Sequence, residues 1–415
     1  MRTAVVVGAG MAGLAIAGAL ARAGWRVTVL ERGERVAAPP TAMVLWPNGL
    51  RALEALNPDG GWSGITTPLP DGGVRRPDGQ WLVPPRGSGS PRRTKDQAPE
   101  VAGSPSRAGA GHAPVVVHLE DLYDALVAGL GDQVDIRTGF AVTSVRTGGG
   151  GMPAVGDGRT EHEADLVVAA DGIDSSVRRT LAPEAVAAGS GFAAWQAVIP
   201  GYRAPLLTGE HAAGGETLGA GYRFVSIPLG ERAAGRGGVY WVATAAGAAR
   251  PEPPATQLTL LRRWFAGWHS PIGELLDATE PADLVPEEVR ELRPLPRAYG
   301  FVSGSGGVVL LGDAAHAMPH HLGQGACLAF EDAATLRSLT ADATPGPDLC
   351  AAVEAYSRAR RPRTTSVVRQ TRRMSAVVQA RGRLALRARD AALNQLRPRI
   401  LGHAYGLAAD WSPPD

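Results

Sequence analysis

A short apolar run, TAVVV at residues 3–7, leads directly into GAGMAG at residues 8–13. A small-residue stretch follows through Ala23, and then a second run, WRVTVLER, that ends at Glu31-Arg32. This order constrains the fold more than anything else in the chain: strand, glycine turn, helix, strand, the opening βαβ unit of a nucleotide-binding fold. Gly8 permits the tight turn, Gly10 leaves room for a pyrophosphate to approach the backbone, and Gly13 lets helix and strand pack closely. The helix start, at Met11 and Ala12, then faces the phosphates. Glu31 is placed to hydrogen-bond a ribose. A lone glycine motif serves equally as a turn needed only by the fold; the flanking strand, helix and acid turn the reading toward a dinucleotide. Glu31 argues against a simple NADPH dehydrogenase, because a carboxylate repels a 2′-phosphate. It does not separate NAD from FAD.

Further along, NGLRALEAL within 43–56 reads as a helix with Asn48 as its cap. Residues 84–114 hold many turn formers and hardly any bulky apolar residues, so a mobile insertion is expected there, with a substrate lid as the functional alternative. VVVH returns to strand, LEDLYDALVAGL is helical, and LVVAA at 166–170 is a buried strand ending at Asp171-Gly172. FAAWQAVIP, GYRFVSIPL and GVYWVATA suggest a mainly antiparallel sheet. A core strand returns at 307–311, and the Arg-rich tail is largely helical. The expected architecture is α/β. A Rossmann-type nucleotide-binding domain in two pieces, 1–180 and 295–345, receives an inserted, mainly antiparallel β-sheet substrate domain over 185–290, and a helical C-terminal region follows over 349–415.

A net charge of +2 over 415 residues leaves no electrostatic footprint for nucleic acid. Arginine supplies nearly all the positive charge, Lys95 being the only lysine, a composition that fits coding in a GC-rich bacterium. Cys327 and Cys350 are too few for a disulfide framework or a cysteine-only zinc site. No signal-peptide pattern opens the chain and no run of eighteen apolar residues suggests a membrane span. A cytoplasmic protein without membrane or nucleic-acid partners is expected. The segment GDAAHAMPHHLGQGACLAFEDA, from residue 312, places three histidines together, but the spacing of His316, His320 and His321 matches no zinc signature and no metal is expected. A strand-to-helix turn with Gly312-Asp313 and Gly323-Gln324-Gly325 fits a cofactor wall, with His316 as a hydrogen-bonding residue within the turn.

GAGMAG with Glu31-Arg32, ADGIDSSVRR at 170–179, and GDAAHAMPHHLGQGACLAFEDA occur in that order over most of residues 1–340. Together they resemble the three motifs of the group A flavin-dependent aromatic hydroxylases, the para-hydroxybenzoate hydroxylase-like family, in wording nearest the salicylate, urate and antibiotic-tailoring hydroxylases. The resemblance implies an FAD-binding domain in which Gly8, Gly10, Met11, Ala12 and Gly13 line the pyrophosphate. Glu31 would hold the adenosine ribose, with Arg32 beside the adenine. Gly312 and Asp313 would meet the ribityl or pyrophosphate region, and Asp171 and Arg178 the region shared by FAD and NAD(P)H. Pro319 would belong to the flavin wall. Gly323, Gln324, Gly325 and Ala326 would present N–H groups to the flavin pyrimidine, where donors stabilise negative charge on reduced flavin. The activity implied is monooxygenation: NADPH or NADH reduces FAD as a transient co-substrate, molecular oxygen adds at flavin C4a to give a hydroperoxide, and its distal oxygen passes to an electron-rich substrate. Epoxidation or oxidative rearrangement, a flavin oxidase and a non-enzymatic flavin binder are the alternatives. A Ser-His hydrolase lacks its Gly-x-Ser-x-Gly elbow.

Three departures from the family's wording bear on chemistry. His320 stands where a second proline is usual after Met318-Pro319, and is the candidate for handling a proton at the reactive face. His118-Leu119 replaces a His-Arg pair whose arginine reaches the FAD. Trp195-Gln196 replaces Trp-Arg; as a catalytic candidate Gln196 keeps hydrogen bonding but loses the fixed charge. That loss turns the expectation from a small carboxylate toward a neutral aromatic or polycyclic, natural-product-like substrate. Candidate substrate contacts are Trp46, Trp195, Tyr222, Phe224 and Trp241, each equally readable as core. Strand alternation puts Tyr222 and Phe224 on one face, and Trp195 and Gln196 on opposite faces. Monomer and homodimer both stay open.

Overall fold

The computed structural model describes residues 1–85, 113–148, 150–230, 237–247, 252–395 and 408–414; the insertion expected over 84–114 lies almost wholly outside them. The strands of the central sheet are runs of small and β-branched apolar residues, and Leu166–Ala169 and Gly306–Leu310 are buried throughout, as parallel strands covered by helices must be. Six strands run in the order Gly300–Ser303, Gly306–Leu310, Leu166–Ala169, Thr3–Val7, Arg26–Leu30, Val134–Arg137, all neighbours parallel except the first pair. Val7 pairs with both Ala169 and Leu30, and Ala169 pairs with Leu310, so four strands end in step. GAGMAG, Glu31, Asp171 and Gly312-Asp313 therefore leave the sheet side by side at one carboxyl edge, where open α/β sheets take their ligands.

The second sheet runs Val285–Arg293, Val186–Pro200, Gly238–Ala246, Tyr222–Gly230, Gly215–Leu218, Val74–Arg75, Trp81–Val83. Its last two strands come from residues 74–83, outside the 185–290 span read from sequence; Val74 and Arg75 pair in parallel with Glu216 and Thr217. Runs of two and three residues are too short to show a period. One face of this sheet buries Trp195, Ile199, Phe224 and Trp241 beneath the helices Pro254–Trp264 and Ile272–Ala278. The other face turns Ile227, Tyr240, Val198 and Val242 toward Ala42, Val44 and Val116 of a small sheet built from Ala42–Leu45, Val115–His118 and Thr66–Pro68. Arg290 spans to the first domain, donating to both carboxylate oxygens of Asp174 at 2.9 and 2.7 Å. Among the described residues no helix is long and apolar enough to cross a membrane.

The carboxyl edge is fixed by charges buried inside the first domain. Asp332, on the helix Gly325–Thr340, accepts the Gly312 N–H at 3.0 Å on the same oxygen that lies 2.6 Å from His316 Nε2. Arg360, on the helix Pro347–Val378, donates to Asp332 at 2.6 Å and to Glu331 at 2.7 Å. Arg363 reaches Glu331 at 2.8 Å, and the Asn48 amide donates to Glu331 at 2.7 Å and to Gln324 Oε1 at 2.9 Å, so Asn48 sits inside the helix Pro47–Leu56 and not at its cap, which is Trp46. Burial pushes the Asp332 carboxyl up, but His316 and Arg360 outweigh it and hold it below its ordinary value. Removing one partner of a buried ion pair leaves the other uncompensated. Arg360→Ala should therefore lower the unfolding free energy in urea by about 3–5 kcal/mol. Arg358→Ala, on an exposed pair with Glu354, should change it by less than about 1 kcal/mol. Equal losses in the two variants would remove the buried network from this account.

Candidate functional site

The three glycines of GAGMAG do different work. Gly8 has φ +98°, and a Cβ there would stand 2.5 Å from the Ala170 carbonyl oxygen. A Cβ on Gly13 would stand 1.9 Å from the Gly8 carbonyl oxygen. Both are steric demands of the fold. A Cβ on Gly10 would meet nothing within 4 Å, so its lack of a side chain keeps space open directly before the helix Met11–Arg22. That helix has no side-chain cap and no acid in its first turn, leaving its start suited to an anion. Ala12 lies against Gly312, whose φ is +61°. Glu31 accepts the N–H groups of Ala9 and Gly33 at 2.7 and 2.8 Å, which orients its carboxylate at the rim; Arg32 is exposed beside it.

Asp171 accepts the Ser176 N–H at 2.9 Å, and burial raises its carboxyl against the opposing hydrogen bonds. Arg178 is buried, and its guanidinium donates to the carbonyls of Ile173 at 2.5 Å, Ala314 at 3.4 Å and Gly172 at 3.5 Å. It thus ties the Asp-Gly loop to the Gly-Asp turn. Asp313 is exposed to solvent, with protein packed densely around its carboxyl. This enclosure raises its carboxyl, with His316 and Arg178 opposing.

Across the turn, Gly323 takes φ +61°, and a Cβ there would stand 3.0 Å from Trp46 Nε1. Trp46 is thereby brought to the cofactor turn. Pro319 and Gln324 are buried, and Gln324 Nε2 has no partner among the described residues. Gly325 and Ala326 begin the helix Gly325–Thr340, which also lacks a side-chain cap, and a Cβ on Gly325 would meet nothing within 4 Å. Leu119 faces away into the main core, and its neighbour His118 caps the helix Leu119–Ala128 by accepting the Glu120 N–H at 3.3 Å.

The histidines separate into two roles. The buried His316 is committed to Asp332. His320 sits edge-on to Phe192 at 5.4 Å, and burial, reinforced by Arg223, pushes it down to about 3. His321 tilts over Phe192 at 4.5 Å and is pushed down to about 2 by burial, then Arg223 and His320. In this enclosure His320 favours its neutral ring, which offers one donor and one acceptor. Among the described residues no three metal-binding side chains converge.

Tyr222 and Phe224 share a face, and Trp195 and Gln196 oppose each other; the aromatic face is the one packed against the helices, where Trp195 and Tyr222 border a cavity with Gln257 and Trp264. Trp195 donates to Gln257 at 2.5 Å and meets Trp264 at 5.6 Å; Phe224 stacks on Trp241 at 5.4 Å, and Trp241 donates to Thr279 at 2.9 Å. Tyr222 lies edge-on to Phe265 at 6.0 Å. These four belong to the side covered by helices. Gln196 lies on the opposite face, accepting the Tyr240 O–H at 2.6 Å and donating to Glu287 at 3.1 Å. Tyr240 and Glu287 escaped the sequence reading. Alternation separates Tyr240 from Trp241, but which of them meets the cleft depends on where the covering helices pack.

Comparison with known proteins agrees with this geometry. A family profile described as "FAD dependent oxidoreductase" matches residues 3–42, and one described as "FAD binding domain" matches residues 274–371. The chain is 30% identical over 383 residues to the aurachin C monooxygenase/isomerase of Stigmatella aurantiaca, covering 91% of this chain and 90% of that protein. It is 33% identical over 344 residues to the 2-heptyl-3-hydroxy-4(1H)-quinolone synthase of Pseudomonas aeruginosa, covering 81% and 80%. The crystal structure of Klebsiella pneumoniae HpxO complexed with FAD and uric acid superposes with a TM-score of 0.78 at 22% identity, over 99% of this chain and 96% of that one.

The glycines give a differential test. Gly13→Ala should unfold the protein at markedly lower urea. Gly10→Ala should keep its stability within about 0.5 kcal/mol while weakening FAD binding, read by equilibrium dialysis. Loss of FAD binding only in the variant that is also unstable would contradict the assignment. The histidines give a second. His320 and His321 bind protons more weakly folded than unfolded, so the stability present above their ordinary pKa of about 6.5 is lost as pH falls toward the folded values. His321→Asn should flatten the dependence of unfolding free energy on pH between about 4 and 6.5. An unchanged slope would show that the ring is not buried in its neutral form.

Proposed function

The chain belongs to the group A flavin-dependent aromatic hydroxylases, which are FAD monooxygenases, and from that premise we propose that it takes electrons from NADPH or NADH to hydroxylate a polycyclic, nitrogen-containing aromatic substrate. The observation that carries this reading is the meeting of three motifs at one carboxyl edge, opposite a sheet face with Gln196 in place of a fixed cation. The quinolone in the name of one relative above is a fused heteroaromatic of this kind.

The residues present fit FAD. Gly10 keeps a phosphate-sized approach open, two uncapped helix starts favour anions, and the orphaned Gln324 amide nitrogen calls for an acceptor such as a flavin carbonyl. Bound FAD supplies the activation of oxygen and its transfer to the ring. In this reading the Met11–Arg22 helix start binds the pyrophosphate, Glu31 orients a ribose, and Asp313 hydrogen-bonds the sugar chain. Gln324 with the Gly325–Ala326 backbone offsets negative charge on the flavin. Trp46 and the neutral His320 border the substrate space, and the apolar Ile227 and Val242 exclude water from it. Oxidative rearrangement is the second reading, favoured by the monooxygenase/isomerase name of a relative that spans nearly the whole chain.

The test is oxidation of NADH and NADPH by the FAD-loaded enzyme with and without fused heteroaromatics, with products weighed by mass spectrometry. Expected are substrate-stimulated NAD(P)H oxidation and a product heavier by a single oxygen atom. Substrate conversion that proceeds without NAD(P)H would instead identify an oxidase.

A further inference from the structure

One polar cluster on the cleft wall is not explained by cofactor binding. Tyr240, Gln196 and Glu287 come from the neighbouring strands Gly238–Ala246, Val186–Pro200 and Val285–Arg293. Tyr240 is held protonated, because burial and then Glu287 drive its phenol well above the usual value against Arg223. Its O–H donates to Gln196 Oε1 at 2.6 Å, which turns the amide nitrogen toward Glu287 Oε2 at 3.1 Å. The carboxylate is thus tied by one hydrogen bond to a relay that crosses three strands. Glu287 is reached by solvent yet enclosed by protein, as Asp313 is; its carboxyl is raised by burial and by Asp313, with Gln196 opposing.

The surrounding charges sharpen the point. Among the described residues neither Glu287 nor Asp313 has an ion-pair partner. Arg223 is engaged by Glu216 at 2.6 Å, Arg178 by backbone carbonyls, and His320 is neutral. The cleft wall therefore carries two carboxylates facing one another's field, with the neighbouring cations already committed. A carboxylate substrate entering here would meet like charge, whereas a ring N–H or O–H would meet an acceptor.

We propose that Glu287 is a specificity-determining residue that receives a ring N–H or O–H of the substrate, selecting fused heteroaromatics with such a donor and rejecting their carboxylates. The proposal rests on the monooxygenase reading. A hydrogen bond from the ring donor to a carboxylate leaves more electron density on the ring, which oxygen transfer to that ring requires. Tyr240 and Gln196 act through Glu287 as positioning residues.

The experiment titrates FAD-loaded protein with 4(1H)-quinolone, its N-methyl derivative and its 2-carboxylate, reading dissociation constants from the change in flavin absorbance. The wild type should bind the N–H compound at least about tenfold more tightly than either of the others. Glu287→Gln keeps the side-chain shape and an acceptor for Gln196, and should reduce the penalty against the carboxylate by about tenfold. Tyr240→Phe should reduce both preferences by a smaller factor. Equal wild-type affinities, no binding of the N–H compound, or ratios that Glu287→Gln does not move would overturn the proposal. Protein that holds no FAD would instead overturn the reading on which it rests.

Discussion

A single carboxylate oxygen of Asp332 meets both the Gly312 N–H and the His316 ring, and its other oxygen meets Arg360. Ion pairs this deeply buried are costly to form and more costly to break. Here the charges are shared among three successive segments: the Gly-Asp turn, the helix that follows it, and the long helix from Pro347. Glu331 extends the set to Arg363, Asn48 and, through Asn48, to Gln324. The positions of Asp313 and of the Gly323–Ala326 turn, which face the cleft, follow from this buried set.

The same contrast between fixed and free polar groups shapes the cleft. Arg178 is consumed in joining two loops, and Asp332 is neutralised by its partners. Asp313 and Glu287 are left facing accessible space without an ion-pair partner among the described residues, though Arg178 and His316 bear on Asp313 from a distance. His320 and His321, though close by, are held neutral against Phe192 and add no positive charge. Polar groups arranged in this way favour hydrogen-bond donors beside Asp313 and Glu287, and anions at the two uncapped helix starts.

Some of this was written openly in the chain. Gly8 and Gly13 answer steric demands between strand and helix, and such demands show as glycine in a fixed spacing; Gly10 answers a demand for space. The apolar strand runs and the Gly-Asp turn were equally legible, because burial on both faces leaves no alternation to confuse. The structure departs where meaning depends on distant packing. Trp195, Phe224 and Trp241 have the alternation of a sheet face, but only the helices at 254–264 and 272–278 decide that this face is core. Val74–Arg75 joins the second sheet through Glu216 and Thr217, far along the chain, and Trp81–Val83 follows it as the edge strand. The charge state of His320 depends on enclosure and on Arg223, neither of which a local motif reports. Glu287 lies in a strand with no motif around it, and its significance arises only from Gln196 across the ladder.

The central claim is that the carboxyl edge of the first sheet holds FAD. It is tested most directly by the visible absorption spectrum of the purified protein, with the released cofactor identified and quantified in the same sample. Oxidised-flavin absorption with stoichiometric FAD, retained or taken up on addition, is the expected result. A colourless protein that binds no added FAD would contradict the account.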